Sequence, residues 1–197
     1  MHHQLFDCSQ IIPPSPTTKD GIAILWAAHI RPEKNPEILL KIAKALQADK
    51  ITIDCYGLFS SQNWNDEENP LDTNIPNLHY KGPYQNFFKD IDISKYDLFL
   101  YTSHADGTPN VVIEAALTGL PIVASKIGGI PDVLGSNAIL VNDTYSAEEF
   151  TQAIRKTVSN LSNARKKALE LQKRLASEHS KNGFINQVKD MLERTNP

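Results

Sequence analysis

HADGTPNVVIEAALTGLPIVAS, residues 104–125, joins a polar loop to a short apolar helix and then to a buried strand. Asp106 sits in the loop, followed by Gly107, Thr108 and Pro109, and Glu114 follows after seven intervening residues. Asn110 reads as the cap of a helix running to about Thr118, with Gly119 as its left-handed stop and PIVAS (121–125) as a strand. Glu114 lies among Val111, Val112, Ile113, Ala115, Ala116 and Leu117, and a carboxylate in that company needs a partner or a task.

The flanking sequence repeats the alternation. GIAILWAA (21–28) is a buried-strand run, and Ile38, Leu39, Ile42, Ala43 and Leu46 give 35–48 a helical period, with Asn35 as cap and Pro36 in first position. ITIDCYG (51–57), NLHYKG (77–82) and YDLFLYTS (96–103) read as further strands, with a short helix in YQNFFKDI and a long polar excursion at 58–76. GGIPDVL reads as a short helix and NAILVN (137–142) as a sixth strand, and from Ser146 onward the pattern is helical in two or three segments. Strands alternating with helices imply a single α/β/α domain with a mostly parallel, doubly wound sheet over 21–197. Residues 1–20, rich in Pro, Ser and Thr, read as an irregular lead-in.

Composition excludes several classes. The 197 residues suffice for one domain with a sizeable core, and a net charge of −3 gives no footprint for nucleic acid. No apolar run approaches the roughly 20 residues that span a bilayer, and the first ten lack the basic and apolar regions of a signal peptide. The two cysteines, Cys8 and Cys55, make neither a disulfide framework nor a metal cluster, so a cytoplasmic setting is expected, with Cys55 as a small core residue.

Ligands of open α/β sheets bind beyond the carboxyl ends of the strands. Three segments fall there: AAHIRPEKN with His29, Arg31 and Lys34; YKGPY with Tyr80, Lys81 and Gly82; and the loop carrying Asp106. Cations after one strand, and a small-residue loop opening a helix after another, suit a phosphate-bearing ligand. Glu114, one turn into that helix, could accept from a ribose diol, and Asp106 from a second polyol. Each piece also has a plainer reading. Glu114 could be satisfied by backbone N–H groups, Arg31 and Lys34 could be solvated, His29 could simply close a strand, and Asp106–Gly107 is a common turn pair. Gly128–Gly129 reads as a tight turn. Neither G-x-x-x-x-G-K-[ST] nor G-x-G-x-x-G occurs.

The stretch ADGTPNVVIEAALTGLPIVASKIGGIPDVL (105–134) resembles the donor-site signature of the group 1, family 4, retaining glycosyltransferases, in which an acid is followed after seven residues by Glu. LWAAHIRPEKNPEILLKIAKAL (25–46) is similar to the first strand and helix of that family's C-terminal lobe. The resemblance implies a Rossmann-like fold, one lobe of the two-lobed GT-B architecture, holding a nucleotide-diphosphate sugar. Glu114 would bind the ribose, Asp106 the donor sugar, and Lys34 the departing diphosphate. Backbone groups around Gly107, Thr108, Pro109, Asn110 and Val111 would hold sugar and phosphate, and Tyr80, Lys81 and Gly82 would border the base. Asp106 stands where the family usually has Glu, and His29 where it has Arg, with Arg31 as a nearby second cation. The family needs no metal or other cofactor. It does need an N-terminal acceptor lobe, expected to be missing here, so the chain alone is expected to be an inactive fragment. The wording of the motif is similar to bacterial surface-polysaccharide enzymes, whose acceptor would lie at the cytoplasmic face of the membrane. A non-catalytic nucleotide-sugar module working through a partner chain is the competing expectation.

Overall fold

The computed structural model describes residues 21–59 and 69–178. The expected lead-in at 1–20, part of the polar excursion after the second strand, and the end of the helical tail lie outside the described residues.

Among the described residues six strands form one sheet: β1 (Ile22–Ala27), β2 (Ile51–Tyr56), β3 (Leu78–Gly82), β4 (Leu98–Tyr101), β5 (Ile122–Ser125) and β6 (Ile139–Val141). Their spatial order is β3-β2-β1-β4-β5-β6 and every pairing is parallel, so the sheet is fully rather than mostly parallel. Central strands of such a sheet are covered on both faces and therefore read as continuous apolar runs. Leu98, Phe99, Leu100 and Tyr101 of β4 are all buried, as are Ile24 to Ala27 of β1. β2, one place nearer the edge, alternates instead.

The helices divide between the two faces. α1 (Pro36–Ala45) and α5 (Ala147–Ser159) put Leu39, Ile42, Phe150 and Ile154 against Ile24, Trp26, Leu98 and Leu100. α2 (Phe87–Asp90), α3 (Asn110–Leu117), α4 (Ile130–Leu134) and α6 (Leu161–Glu178) cover the other face, where Val112, Ala116, Leu171 and Leu175 meet Leu25 and Phe99. Each large aliphatic or aromatic side chain so buried contributes about 1.5–3 kcal/mol. Cys55 is a free thiol inside the first core, and burial pushes its ionisation far above the ordinary range.

Local signals explain most boundaries. Ser146 caps α5 by accepting from the Glu149 N–H, Asn86 caps α2, and Gly119 ends α3 at φ +75°. Two caps differ from expectation. α3 is capped at Pro109 rather than Asn110, since the fixed φ of proline suits the extended residue before the helix. Asn35 does precede α1, but at φ +53° its side chain turns away and donates to the Thr144 carbonyl at 2.8 Å.

The amino ends of β1 and β4 are held by a buried ion pair. Asp97 is 2% exposed, accepts from Arg165 of α6 at 2.6 Å and from the Ala23 N–H at 3.1 Å. Removing one member of a buried pair leaves the other charge uncompensated. Asp97→Ala is expected to lower the unfolding free energy by about 3 kcal/mol in urea denaturation, and a change below about 1 kcal/mol would show that the pair carries no weight.

Candidate functional site

The order of the strands fixes where a ligand can sit. From β1 the chain moves to β2 on one side, and from β4 to β5 on the other, so the loops above these neighbouring strands diverge and leave a crevice. The loop after β1 carries His29, Arg31 and Lys34; the loop after β4 carries Asp106 to Pro109 and leads into α3.

The two loops are joined below the crevice by a relay of hydrogen bonds. The Trp26 indole N–H donates to Thr102 Oγ1 at 3.0 Å, and Thr102 donates to the Lys34 carbonyl at 2.9 Å. The Ser103 hydroxyl and the His104 N–H both donate to the Glu33 carbonyl, at 2.7 and 2.9 Å. Thr102 and Ser103 are fully buried, so each of these bonds also removes a desolvation penalty. A single 3₁₀ turn, Pro32–Lys34, presents the lysine.

Lys34 and Asp106 form an ion pair across the crevice, each about four-fifths buried. The Tyr101 hydroxyl donates to Asp106 Oδ2 at 2.5 Å and accepts from Lys34 Nζ at 3.3 Å, while the Gly107 N–H donates to Oδ1 at 2.8 Å. Burial by itself pushes the Asp106 carboxyl up, but the bonds from Lys34, Tyr101 and Gly107 outweigh it and hold the group below the usual carboxylate range. Asp106 is therefore an anion at neutral pH, and it neutralises the cation beside it.

Glu114 behaves in the opposite way. It is half-buried on α3, burial pushes its carboxyl above the ordinary value, and no donor among the described residues reaches it. Tyr84 lies close enough that the negative charge of Glu114, after burial, helps push its phenol up to about 12. A half-buried acceptor without a protein donor is suited to the hydroxyls of a ligand.

Of the other expected residues, His29 and Arg31 are exposed at the crevice mouth, Arg31 at 3.9 Å from Glu33. Gly107, Thr108 and Asn110 are exposed, Val111 is half-buried and Pro109 is buried beneath the start of α3. Tyr80 donates to the Gly57 carbonyl at 2.8 Å, and Lys81 pairs with Asp54 at 3.6 Å, so both side chains are engaged within the β2–β3 edge. Gly82 closes β3 at φ +97°.

Tyr101 and Tyr84 are the site residues that sequence reasoning missed. An aromatic ending a buried strand looks like core, and so does one before a short helix; only the position of each hydroxyl marks it. The glycine pair makes the expected tight turn and also packs against the Asp106 loop. A Cβ at Gly128 would lie 2.1 Å from the Gly107 carbonyl oxygen and 2.3 Å from that of Asp106; at Gly129 it would lie 2.2 Å from Thr108 Oγ1. The Gly129 N–H donates to the Gly107 carbonyl at 2.9 Å. The loop after β5 thus buttresses the loop that carries Asp106. A cavity of about 380 Å³ at the amino ends of β5 and β6, lined by Asn137, Lys156 and Lys167, lies at the other end of the sheet.

The buttress gives a paired test. Gly128 has φ +49° and no room, whereas a Cβ on Gly107 meets nothing within 4 Å. Gly128→Ala is expected to cost roughly 1–3 kcal/mol, and Gly107→Ala less than about 0.5 kcal/mol, by thermal or urea unfolding. Equal costs would show that the two loops do not support one another.

Residues 21–160 match the family model described as glycosyl transferases group 1. The O-antigen biosynthesis glycosyltransferase WbnH of Escherichia coli is 28% identical over 93 residues, covering 47% of this chain and 26% of its own length. Spore coat protein SA of Bacillus subtilis is 26% identical over 151 residues, covering 70% of this chain and 39% of its own. Among solved structures, sucrose-phosphate synthase from Thermosynechococcus elongatus superposes with a TM-score of 0.73 at 18% identity, over 89% of this chain and 45% of that one. Anabaena HepE, solved in complex with UDP and glucose, superposes with a TM-score of 0.68 at 23% identity, over 89% and 48%. The chain thus spans about a quarter to two fifths of these curated relatives and about half of these solved chains. The match of the family model over most of the chain, on an all-parallel Rossmann-like sheet, establishes that this chain belongs to the group 1 glycosyltransferases.

Proposed function

We propose that this chain is the donor-binding lobe of a retaining glycosyltransferase, which moves a sugar from a nucleotide diphosphate to an acceptor hydroxyl in bacterial surface-polysaccharide synthesis. The observation that carries the reading is Glu114, a half-buried carboxylate without a donor among the described residues, one helical turn above the loop whose Asp106 pairs with Lys34. HepE was solved with UDP and glucose, and WbnH is an O-antigen glycosyltransferase; both support this choice of ligand and pathway class.

In this reading Glu114 accepts from the ribose hydroxyls, with Tyr84 beside it. The diphosphate lies over the start of α3, where first-turn N–H groups and the helix dipole favour negative charge. Lys34 retains hydrogens beyond those given to Asp106 and Tyr101, and an ammonium has three. It stabilises the charge that grows on the departing diphosphate as the bond to the anomeric carbon breaks. The acceptor oxygen bonds to that carbon on the same face, and its proton passes to the leaving phosphate. Asp106 holds the sugar. The acceptor would be placed by an N-terminal lobe of the whole protein, at the cytoplasmic face of the membrane; no described helix of this chain is long and apolar enough to cross one.

Glu114→Gln tests the assignment, since it keeps shape and one acceptor but removes the charge. Loss of charge-assisted bonds to the ribose is expected to weaken binding of a nucleotide diphosphate at least tenfold, equivalent to about 1.5–3 kcal/mol. The sign for stability is opposite. A carboxyl whose native pKa is raised makes the folded state less stable as pH climbs from its unfolded value, near 4.3, through the native one. The variant is therefore expected to melt at or above the wild-type temperature at pH 7 and to lose the advantage below pH 4. A variant that melts lower and binds UDP, GDP and ADP as the wild type does would make Glu114 a structural residue. Calorimetric titration and a pH series of melting curves supply both readings.

A further inference from the structure

Tyr101 ends β4, the strand beside the crevice, and its side chain is buried in the same core as Phe99, Val112 and Ile113. Packing there needs a ring, and phenylalanine would serve. The hydroxyl is the part that the core does not explain. It ends between opposite charges, donating to Asp106 Oδ2 at 2.5 Å and accepting from Lys34 Nζ at 3.3 Å.

A phenol has one proton to give. Burial, then the bond to Asp106, pushes the Tyr101 ionisation far above its ordinary value, with Glu33 adding in the same direction and Ser103 opposing. The proton therefore stays on Tyr101 and points at the carboxylate. Oδ2 is filled by Lys34 and Tyr101, and Oδ1 has the Gly107 N–H, with one acceptor site left for a ligand. The groups that face Asp106 are thus Lys34 from the loop after β1, Tyr101 from β4 and the Gly107 amide from its own loop.

We propose that Tyr101 is a positioning residue: its hydroxyl fixes the Asp106 carboxylate and the Lys34 ammonium relative to each other, and so sets the preference of the site for a nucleotide sugar over the bare nucleotide diphosphate. The inference rests on the nucleotide-sugar reading above. An arriving diphosphate competes with Asp106 for Lys34 and repels the carboxylate. Lys34 alone cannot then hold Asp106 in place, because its charge is shared. The Tyr101 donor carries no charge of its own, is buried out of reach of solvent, and comes from a rigid strand. It keeps Oδ1 available to sugar hydroxyls. A bare diphosphate brings no sugar hydroxyl to Asp106, so it gains far less from a fixed carboxylate than the nucleotide sugar does.

The test is Tyr101→Phe, which keeps the ring and deletes the hydroxyl. UDP, GDP and ADP, and UDP-glucose, GDP-mannose and ADP-glucose, are titrated into wild type and variant by calorimetry. The Asp106 carboxyl is titrated without ligand by ¹³C NMR. Affinity for the preferred bare diphosphate is expected to stay within about twofold, while its sugar conjugate weakens about tenfold, the scale of one hydrogen bond to a charged group. Asp106 is expected to titrate at higher pH in the variant, because its anion has lost a donor. In an Asp106→Asn background, Tyr101→Phe is expected to have no further effect on the ratio of the two affinities. Equal weakening of both ligand classes, an unmoved Asp106 titration, or a full extra loss in the Asn background would overturn the proposal. If wild type binds none of the six compounds, the donor-site reading fails and this inference falls with it. If wild type binds and the Asp106 titration is unmoved, only the role of Tyr101 is refuted.

Discussion

The site depends on one constraint: two neighbouring parallel strands whose connections leave in opposite directions must still hold their loops in register. β1 and β4 share a short paired segment, Ile24 with Leu98 and Leu25 with Phe99. Beyond it the backbone ladder ends, and side chains with one further backbone N–H take over. Trp26, Thr102, Ser103 and His104 tie the strand ends to the carbonyls of Glu33 and Lys34, each group otherwise costly to bury. That relay places a lysine from one loop against an aspartate from the other. Without it the crevice would be a gap between two loops; with it, the crevice is a defined arrangement of charges.

The electrostatics of that arrangement are a compromise. A free lysine would attract a diphosphate more strongly, because Asp106 screens the charge. A free aspartate would be repelled by the same ligand. In the proposed reading, holding the two together lowers the attraction for phosphate alone and reserves an anion for sugar hydroxyls. Glu114 is the second ionisable group at the crevice, and in the proposed reading it adds a further discrimination. Its charge has no protein partner among the described residues, so folding leaves a desolvation cost that a hydroxyl-bearing ligand can relieve.

Much of the fold was legible because the relevant signals are local or periodic. The apolar runs of β1 and β4, the helical period in Ile38, Leu39, Ile42 and Leu46, and Gly119 after α3 each have one natural reading, and the structure agrees with them. The misplaced cap at Asn110 shows the limit. Pro109 and Asn110 both favour a helix start, and the fixed φ of Pro109 suits it to the extended residue that precedes the first helical one. The site was legible as a set of charges but not as a geometry. Nothing local says that Asp106 meets Lys34, 72 residues away, or that Tyr101 rather than a loop residue holds both. Tyr80 and Tyr84 are four positions apart in one segment, yet one bonds to Gly57 and the other lies beside Glu114. No periodicity shows which of them faces the crevice.

The central claim is that the crevice between β1 and β4, and no other part of the molecule, receives a nucleotide diphosphate. Amide shift mapping of the chain during titration with UDP, GDP and ADP tests it most directly. Saturable shifts are expected at Lys34, Gly107, Thr108, Asn110 to Glu114 and Tyr84 for at least one nucleotide, with the amides of Asn137, Lys156 and Lys167 at the far cavity unchanged. Shifts confined to that far cavity, or none at millimolar nucleotide, would contradict it.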